Sequence, residues 1–316
     1  MTLKRLLRIT LITLVLFITL ACQKEVEDPE PPEPIVAGDI AYHRYPGTQG
    51  SVGSTYTVNI DGSQNRQLFS TTIAYNHHDW SPDGTRMAVQ GYSPDSIYVV
   101  NIDGTQLTRL TTAEGVTDTE PSWSPDGQRI AFTRFHDTVN NRMESAELWI
   151  MNADGGNQQN ININGAFADW SPDNTRLVYI SGRSGNQEIY TCLADGSNEQ
   201  RLSETVTNAT FPNWSHDGRK IAFSASTGNV NDGSAYEIFV MNADGTDLIR
   251  LTNNNCSDFF PCWSPDDTQI VFESDLPDGP GHEEIYVMNA DGSNVRRVTN
   301  TAPPATASLP VWRPGR

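Results

Sequence analysis

The side chains best suited to chemistry in this sequence are two adjacent histidines, His77 and His78, followed by a carboxylate, Asp79. Imidazole and carboxylate groups ligate transition metals and exchange protons near neutral pH. Three further histidines, His43, His136 and His282, are candidates to lie on the same side of the fold. No fixed spacing relates these residues, so the sequence keeps two interpretations open, a metal-dependent enzyme and a binding site without catalysis.

A second candidate site is a set of side chains that each precede a regularly placed tryptophan. Its members are Asp79, Ser122, Asp169, Asn213, Cys262 and Val311. Four of the six carry side-chain oxygen atoms, and Ca²⁺ takes about six to eight oxygen ligands. If the six positions line one axis, they form either a Ca²⁺ site or a hydrogen-bonded channel filled with water. No other cofactor is expected, and the sequence leaves the metal content unknown.

The elements that must position these residues are marked by six tryptophans, each of which opens a variant of the phrase Trp-Ser-Pro-Asp-Gly. They are Trp80, Trp123, Trp170, Trp214, Trp263 and Trp312, at spacings of 43, 47, 44, 49 and 49 residues. A second marker, an Asp-Gly pair after an apolar run, alternates with them at Asp61, Asp103, Asp154, Asp195, Asp244 and Asp291. Two markers that share one period of this length indicate a repeat protein built from small sheets.

Each repeat contains four short segments with the apolar pattern of strands, separated by turns rich in Asp, Asn and Gly. Four antiparallel strands per repeat are typical of a β-propeller blade. The first segment, from Ile40, matches the strand after a tryptophan turn, and the last, at Val311 and Trp312, matches the strand before one. We therefore predict an all-β, six-bladed propeller over residues 38–316, closed by the C-terminal strand, which completes the first blade.

Within these repeats, strings such as Trp123-Ser-Pro-Asp-Gly, Ile285-Tyr-Val-Met-Asn-Ala-Asp-Gly and Arg250-Leu-Thr recur in a constant order. The pattern resembles the TolB-like, or PD40, family of WD40-like β-propeller repeats over residues 38–316. Similar blades occur in periplasmic scaffold proteins, in peptidases of the prolyl oligopeptidase type and in some polysaccharide lyases, so the resemblance implies the fold more directly than the function. The peptidases need a Gly-x-Ser-x-Gly nucleophile elbow, which this sequence lacks.

The N-terminal residues 1–21 combine Lys4, Arg5 and Arg8 with an apolar run that is too short to span a membrane, which predicts a signal peptide. The segment Ile18-Thr-Leu-Ala-Cys22 resembles a bacterial lipoprotein signal, so Cys22 is the expected lipidation site. Residues 22–37, rich in Pro and Glu, should form an extended tether. TolB proteins carry an α/β domain before the propeller, and we expect a lipoprotein variant without it.

The net charge is −18, or −21 once the three basic residues of the signal peptide are removed. Such an acidic protein has no excess of Lys and Arg with which to neutralise phosphates, so nucleic acid is excluded as a partner. We expect a monomeric outer-membrane lipoprotein of the cell envelope that faces either the periplasm or the cell surface.

The cysteines beyond the lipidation site allow two interpretations. Cys256 and Cys262 lie six residues apart in one connection, and exported proteins can form disulfides. The pair could therefore form a bridge or remain two buried thiols. Cys192 replaces the methionine of other repeats and is expected to fill apolar space.

A partner is expected to bind at the loops that lead into the tryptophan strands, because the variable connections of a propeller gather at one mouth. The candidate contact residues are His77, His78, Asp79, Asp118, Glu120, Asp169, Asn208, Asn213 and Asp258. The sequence thus predicts a non-enzymatic, lipid-anchored envelope scaffold that binds a protein or peptide, or a glycan, through this mouth. The alternative, implied by the family resemblance, is a metal-dependent, carbohydrate-active enzyme, similar to a lyase, that uses the mouth histidines.

Overall fold

Twenty-four β-strands make up the fold in the computed structural model. It describes residues 38–47, 53–69, 75–92, 95–136, 146–203, 206–226, 236–254, 256–276 and 282–315. Over these ranges there is no helix that is long and apolar enough to cross a membrane. The predicted signal peptide, Cys22 and the tether lie outside the described residues.

The strands form six antiparallel sheets of four, which we number as blades 1 to 6 and describe from the innermost strand outwards. Blade 1 contains β24 (Thr306–Trp312), β1 (Ile40–Tyr45), β2 (Ser54–Val58) and β3 (Arg66–Gln67). Blade 2 contains β4 (Tyr75–Trp80), β5 (Arg86–Gly91), β6 (Ser96–Asn101) and β7 (Thr108–Arg109). Blade 3 contains β8 (Thr117–Trp123), β9 (Arg129–Phe135), β10 (Ala146–Asn152) and β11 (Gln159–Asn164).

The remaining three blades repeat this order. Blade 4 contains β12 (Ala166–Trp170), β13 (Arg176–Ser181), β14 (Glu188–Leu193) and β15 (Gln200–Arg201). Blade 5 contains β16 (Thr207–Trp214), β17 (Lys220–Ser226), β18 (Tyr236–Asn242) and β19 (Ile249–Arg250). Blade 6 contains β20 (Asp258–Trp263), β21 (Gln269–Ser274), β22 (Glu284–Asn289) and β23 (Arg296–Arg297). Every inner strand therefore ends at one of the six tryptophans.

Blade 1 is assembled from strands that lie at opposite ends of the propeller sequence. β24 pairs antiparallel with β1, so that Ile40 lies opposite Trp312 and Arg44 lies opposite Ala307. This pairing holds the C-terminal strand in the first blade and covers the edge of β1 that would otherwise be free. The predicted six-bladed propeller, closed by its C-terminal strand, is confirmed.

The core consists of layers of aromatic and aliphatic side chains between neighbouring blades. Tyr179 and Tyr190, on adjacent strands of blade 4, stack with ring centroids 5.9 Å apart. The tryptophans lie between blades as predicted: Trp263 is 1% exposed, and the guanidinium of Arg129 from blade 3 lies 4.3 Å above the ring of Trp170 from blade 4. Truncation of such side chains leaves cavities that a close-packed interior cannot refill.

The outer strands are held by a repeated polar pattern that explains the Arg-Leu-Thr phrase. In blade 5, Arg250 of β19 pairs with Glu237 of β18 at 2.6 Å, and the hydroxyl of Thr252 accepts a hydrogen bond from the Ile238 N–H at 2.9 Å. The recurring glutamate near the start of the third strand is therefore part of the framework in blades 4, 5 and 6, where it pairs with an arginine of the fourth strand.

Candidate functional site

Each inner strand contains an irregularity close to the axis of the propeller. The pairing register between first and second strands shifts in all six blades, as between Thr119 and Ser122 in blade 3. In five blades the residue three positions before the tryptophan has a positive φ, of which 55° at Phe167 and 53° at Phe211 are examples. Positive φ is uncommon for bulky residues, and a β-bulge re-aims the side chain that it contains.

These residues line one end of the central channel and form what we call the bulge ring. Its members are His77, Glu120, Phe167, Phe211, Phe260 and Leu309. They surround a cavity of about 160 Å³ together with the residues that follow them in each inner strand. The sequence analysis placed His77 and Glu120 in loops before the tryptophan strands, whereas in the structure they belong to the strands β4 and β8 themselves.

Aromatic rings from four inner strands meet within the bulge ring. The centroids of Phe211 and Phe260 are 3.8 Å apart, and the ring of Phe167 lies edge-on to Phe211 at 4.7 Å. His77 approaches both Phe167, at 5.9 Å, and Phe260, at 6.3 Å. Because the phenylalanines are only partly buried, they present an apolar surface to this end of the channel.

Two residues of the bulge ring are titratable. Glu120 accepts hydrogen bonds from the Thr133 hydroxyl at 2.8 Å and the Phe167 N–H at 3.0 Å, and burial raises its pKa to about 7. Nδ1 of His77 lies 3.1 Å from Oε1 of Gln90, and burial lowers the pKa of this histidine to about 4. At pH 7 the ring therefore contains a neutral imidazole and a carboxyl group close to its titration midpoint.

Deeper in the channel lie the residues that directly precede the tryptophans, which we call the axial ring. They are Asp79, Ser122, Asp169, Asn213, Cys262 and Val311. Their polar atoms bind the backbone of the following blade: Asp79 Oδ2 accepts from the Trp123 N–H at 2.6 Å and Asn213 Oδ1 accepts from the Trp263 N–H at 2.9 Å. The axial ring thus links neighbouring blades around the axis.

The two aspartates of the axial ring have a further framework role. Oδ1 of Asp79 accepts from the N–H of its own neighbour Trp80 at 2.8 Å. Asp169 Oδ2 accepts from both the Trp214 N–H at 2.7 Å and the amide of Asn213 at 3.1 Å. Burial raises the pKa of Asp79 to about 7 and that of Asp169 to about 6.

These bonds bear on the Ca²⁺ site that the sequence left open. A hard cation needs oxygen atoms whose lone pairs are available, and the carboxylates of the axial ring already accept backbone N–H groups. Over the ranges that the structure describes, no group of three or more His, Cys, Asp or Glu side chains is placed to hold a metal ion. The geometry therefore favours the hydrogen-bonded channel.

Three of the predicted contact residues do not line the channel cavity. Asp118 is 1% exposed and forms an ion pair with Arg134, with atoms 2.6 Å apart. Asp258 is fully buried and accepts from the Ser274 hydroxyl at 2.5 Å. Asn208, with φ of 52°, lies near the start of β16. Asp118 and Asp258 are thus framework residues, because their carboxylates are buried and paired.

The histidines are distributed over separate parts of the molecule. His78 and His43, both buried, face each other between blades 2 and 1 with ring centroids 6.4 Å apart, and burial lowers the pKa of each to about 3. Nε2 of His136 lies 2.8 Å from a carboxylate oxygen of Glu147 in blade 3. The arrangement required by the lyase-like alternative, a single cluster at the mouth, is not formed by these described side chains.

Cys256 and Cys262 are free thiols, so the disulfide that the sequence allowed is absent from the structure. Cys262 belongs to the axial ring, near the end of β20, whereas Cys256 precedes the first residue of that strand. Six residues of extended chain cover roughly 20 Å, and a disulfide requires Cα atoms less than about 7 Å apart. The buried Cys192 fills apolar space, as expected.

Sequence reasoning brought together six of the residues that line the cavity but missed its apolar component. The predicted contact residues that line this cavity are His77, His78, Asp79, Glu120, Asp169 and Asn213. Phe167, Phe211, Phe260 and Leu309 were not chosen as contact residues. The sequence signal that could have identified these residues is their constant position, three residues before each tryptophan. No local motif marks this position, because its side chains differ from blade to blade.

The fold and this channel define the molecule as a six-bladed β-propeller with a cavity at one end of its axis. Residues 36–169 match the family model described as the TolB beta propeller domain, PD40. Residues 36–169 therefore carry TolB-like propeller repeats of the PD40 type, and the chain as a whole is similar to TolB propellers.

Several curated proteins are similar to parts of this chain. An uncharacterized protein of Agrobacterium fabrum is 26% identical over 191 residues, 58% of this chain and 62% of that protein. The Tol-Pal system protein TolB of Francisella tularensis subsp. mediasiatica is 29% identical over 150 residues, 46% of this chain and 33% of that protein. The uncharacterized peptidase YuxL of Bacillus subtilis is 28% identical over 130 residues, 39% of this chain and 20% of that protein. The chain spans less than two thirds of each relative.

Solved structures support the fold. TolB from Acinetobacter baumannii superposes with a TM-score of 0.71 at 21% identity, and the match covers 88% of this chain and 68% of that one. A putative TolB from Agrobacterium tumefaciens superposes with a TM-score of 0.65 at 22% identity, covering 84% of this chain and 90% of that one.

Proposed function

We propose that the protein is a non-enzymatic scaffold of the bacterial cell envelope that binds a protein or peptide partner at the bulge ring. The observation that carries this proposal is the set of partly buried phenylalanine rings that meet at one end of the channel. Aromatic side chains in concave, rigid surroundings are typical anchors for protein partners.

The apolar surface extends beyond the channel, which supports a partner larger than a small molecule. Phe259 lies 6.0 Å from Phe211, and Tyr236 lies 4.7 Å from Phe259, measured between ring centroids. The cavity of about 160 Å³ is itself small. A protruding side chain of the partner would fill it, while the neighbouring backbone would lie across Phe259 and Tyr236.

The two aspartates of the channel support its framework more than they support catalysis. A general base needs a lone pair that is free to take a proton from a substrate, and the carboxylates of Asp79 and Asp169 accept backbone N–H groups. These bonds give the channel fixed walls, so that little conformational entropy is lost when a partner enters.

The proposed location rests on the sequence and on the relatives. Several of the similar proteins are Tol-Pal system proteins, which supports an envelope role for this chain. The apolar run before Cys22 supports export and lipid attachment. We propose an outer-membrane lipoprotein that faces the periplasm or the cell surface and acts as a monomer.

Site-specific photo-crosslinking in cells that express the protein tests this function. A photoreactive phenylalanine derivative at Phe211 should capture a specific protein, because the probe lies among the rings that the partner contacts. The matched control is the same derivative at Ile249, which is 53% exposed on the outer strand β19. The proposal would be contradicted if the two positions gave the same adducts, or if neither position gave an adduct. A carbohydrate adduct at Phe211 would instead assign the site to a glycan.

A further inference from the structure

The bulge ring combines one carboxyl group, which is partly ionised at pH 7, with five side chains that are uncharged at that pH. Glu120 is its acidic member, and Asp79 and Asp169 add two carboxyl groups deeper in the same cavity. The described residues that line this cavity include no lysine or arginine. Opposite charges attract strongly where water is partly excluded, so the lining favours a cationic group of the partner and disfavours an anionic one.

Glu120 differs from the two aspartates in how its oxygen atoms are used. Both of its hydrogen bonds, from the Thr133 hydroxyl and from the Phe167 N–H, fall on Oε2. Its Oε1 accepts no hydrogen bond from the described residues. Asp79, in contrast, uses Oδ1 for the Trp80 N–H and Oδ2 for the Trp123 N–H. Asp169 likewise accepts on both oxygens, from the Ser122 hydroxyl on Oδ1 at 3.4 Å and from the Trp214 N–H on Oδ2 at 2.7 Å. Glu120 is thus the carboxylate that retains an acceptor for a partner.

The phenylalanine rings extend the same preference. The bond from the Phe167 N–H holds Glu120 beside that residue, whose ring lies 4.7 Å from that of Phe211. Cations are attracted to the faces of aromatic rings, and the methylene stems of Lys and Arg pack on apolar surface while the charged end keeps a polar contact. A basic side chain therefore matches both the apolar and the charged part of the ring.

We propose that the partner inserts a lysine or arginine side chain into the bulge ring, where its charged end pairs with Oε1 of Glu120 and its stem lies against Phe167 and Phe211. This inference rests on the proposed function and specifies the chemistry of the partner at that site.

A second glutamate of the same molecule provides a matched control. Glu273 accepts a hydrogen bond from the Leu309 N–H at 3.2 Å and another from the Ser308 hydroxyl. Glu273 thus binds the backbone of the bulge in blade 1 at Leu309, just as Glu120 binds the backbone of the bulge in blade 4 at Phe167. Burial raises the pKa of both carboxyl groups to about 7, but Glu273 does not line the cavity.

Selection from a random peptide library tests the inference with defined probes. Displayed linear peptides are selected on the purified protein, and those that no longer bind Phe211→Ala are kept as mouth binders. We expect Lys or Arg at one position of these peptides. Glu120→Gln should weaken their binding by at least about tenfold, since the pair loses its charge, whereas Glu273→Gln should change the Kd less than about twofold.

A double-mutant cycle assigns the effect to the proposed pair. Replacement of the basic residue of the peptide by methionine should weaken binding to the wild type but have little further effect on Glu120→Gln. The inference of a basic partner side chain would be wrong if the mouth binders lacked Lys and Arg, or if Glu120→Gln and Glu273→Gln weakened binding equally. Either outcome would leave the proposed function intact. If every selected peptide binds Phe211→Ala as well as the wild type, both proposals are wrong. Thermal unfolding of each variant verifies that it is folded.

Discussion

The buried carboxyl group of Asp79 should make the stability of the propeller depend on pH, and Asp79→Asn should remove that part of the dependence. Burial raises the pKa of Asp79 from 3.8 to about 7 in the folded protein. A folded-state pKa above the unfolded value means that the native state binds the proton more tightly. The contribution of this group to stability is then fully present below about pH 4 and is lost as the pH rises through about 7.

The magnitude follows from the two pKa values. Each unit of pKa difference corresponds to about 1.4 kcal/mol, and integration between pH 5 and pH 8.5 gives a loss of roughly 3 kcal/mol from Asp79. Asparagine does not titrate, so Asp79→Asn escapes this loss. The variant also pays a cost that is independent of pH, about 1 to 3 kcal/mol, because one amide oxygen replaces two acceptors for the Trp80 and Trp123 N–H groups.

Urea denaturation followed by tryptophan fluorescence measures this effect. The free energy of unfolding of Asp79→Asn, relative to the wild type, should rise by roughly 3 kcal/mol from pH 5 to pH 8.5. The buried histidines His43 and His78 titrate in both proteins and cancel in the difference. Asp83→Asn serves as control, since hydrogen bonds from Ser81 and Thr85 lower the pKa of Asp83 and its effect should be constant over this range. A constant difference for Asp79→Asn as well would refute the reasoning.

Three further predictions concern the framework and the anchor. Trp263→Ala should lower the free energy of unfolding by about 3 to 5 kcal/mol in urea titrations, because the ring is 1% exposed and its loss leaves a cavity; a loss below about 1 kcal/mol would contradict its packing role. Deletion of 306–316 removes the inner strand of blade 1 and should abolish cooperative unfolding, whereas deletion of Arg316 alone should not. Cys22→Ser should move the protein from the membrane to the soluble fraction, and unchanged fractionation would exclude lipid attachment there.

Local patterns were sufficient to predict the architecture because every blade repeats them. The spacing of the tryptophans determined the number of blades, and the match of Ile40 and Val311 to consecutive strands of one repeat determined the closure. Repetition makes such predictions robust, since each repeat is an independent observation of the same strand order.

The structure explains why two of the repeated Trp-Ser-Pro-Asp-Gly turns have a different residue in place of the glycine. Asn174 and Asp267 stand where other repeats have glycine, and both have a positive φ. The side chain of Asn174 accepts a hydrogen bond from the Asp126 N–H of the preceding blade at 2.9 Å, and that of Asp267 accepts from the His216 N–H at 2.7 Å. The two departures therefore link neighbouring blades, which no pattern within a single repeat indicates.

The sequence by itself determined the all-β class, the six blades, their closure and the tryptophan packing, because these depend on short periodic patterns. Only the tertiary structure decided which side chains surround the axis. The bulges shift the register of each inner strand and turn one residue into the channel, so Phe167, Phe211 and Phe260, more than 40 residues apart in sequence, meet within a few ångströms. The same geometry leaves Oε1 of Glu120 as an acceptor while it uses both oxygens of Asp79 to hold neighbouring blades together.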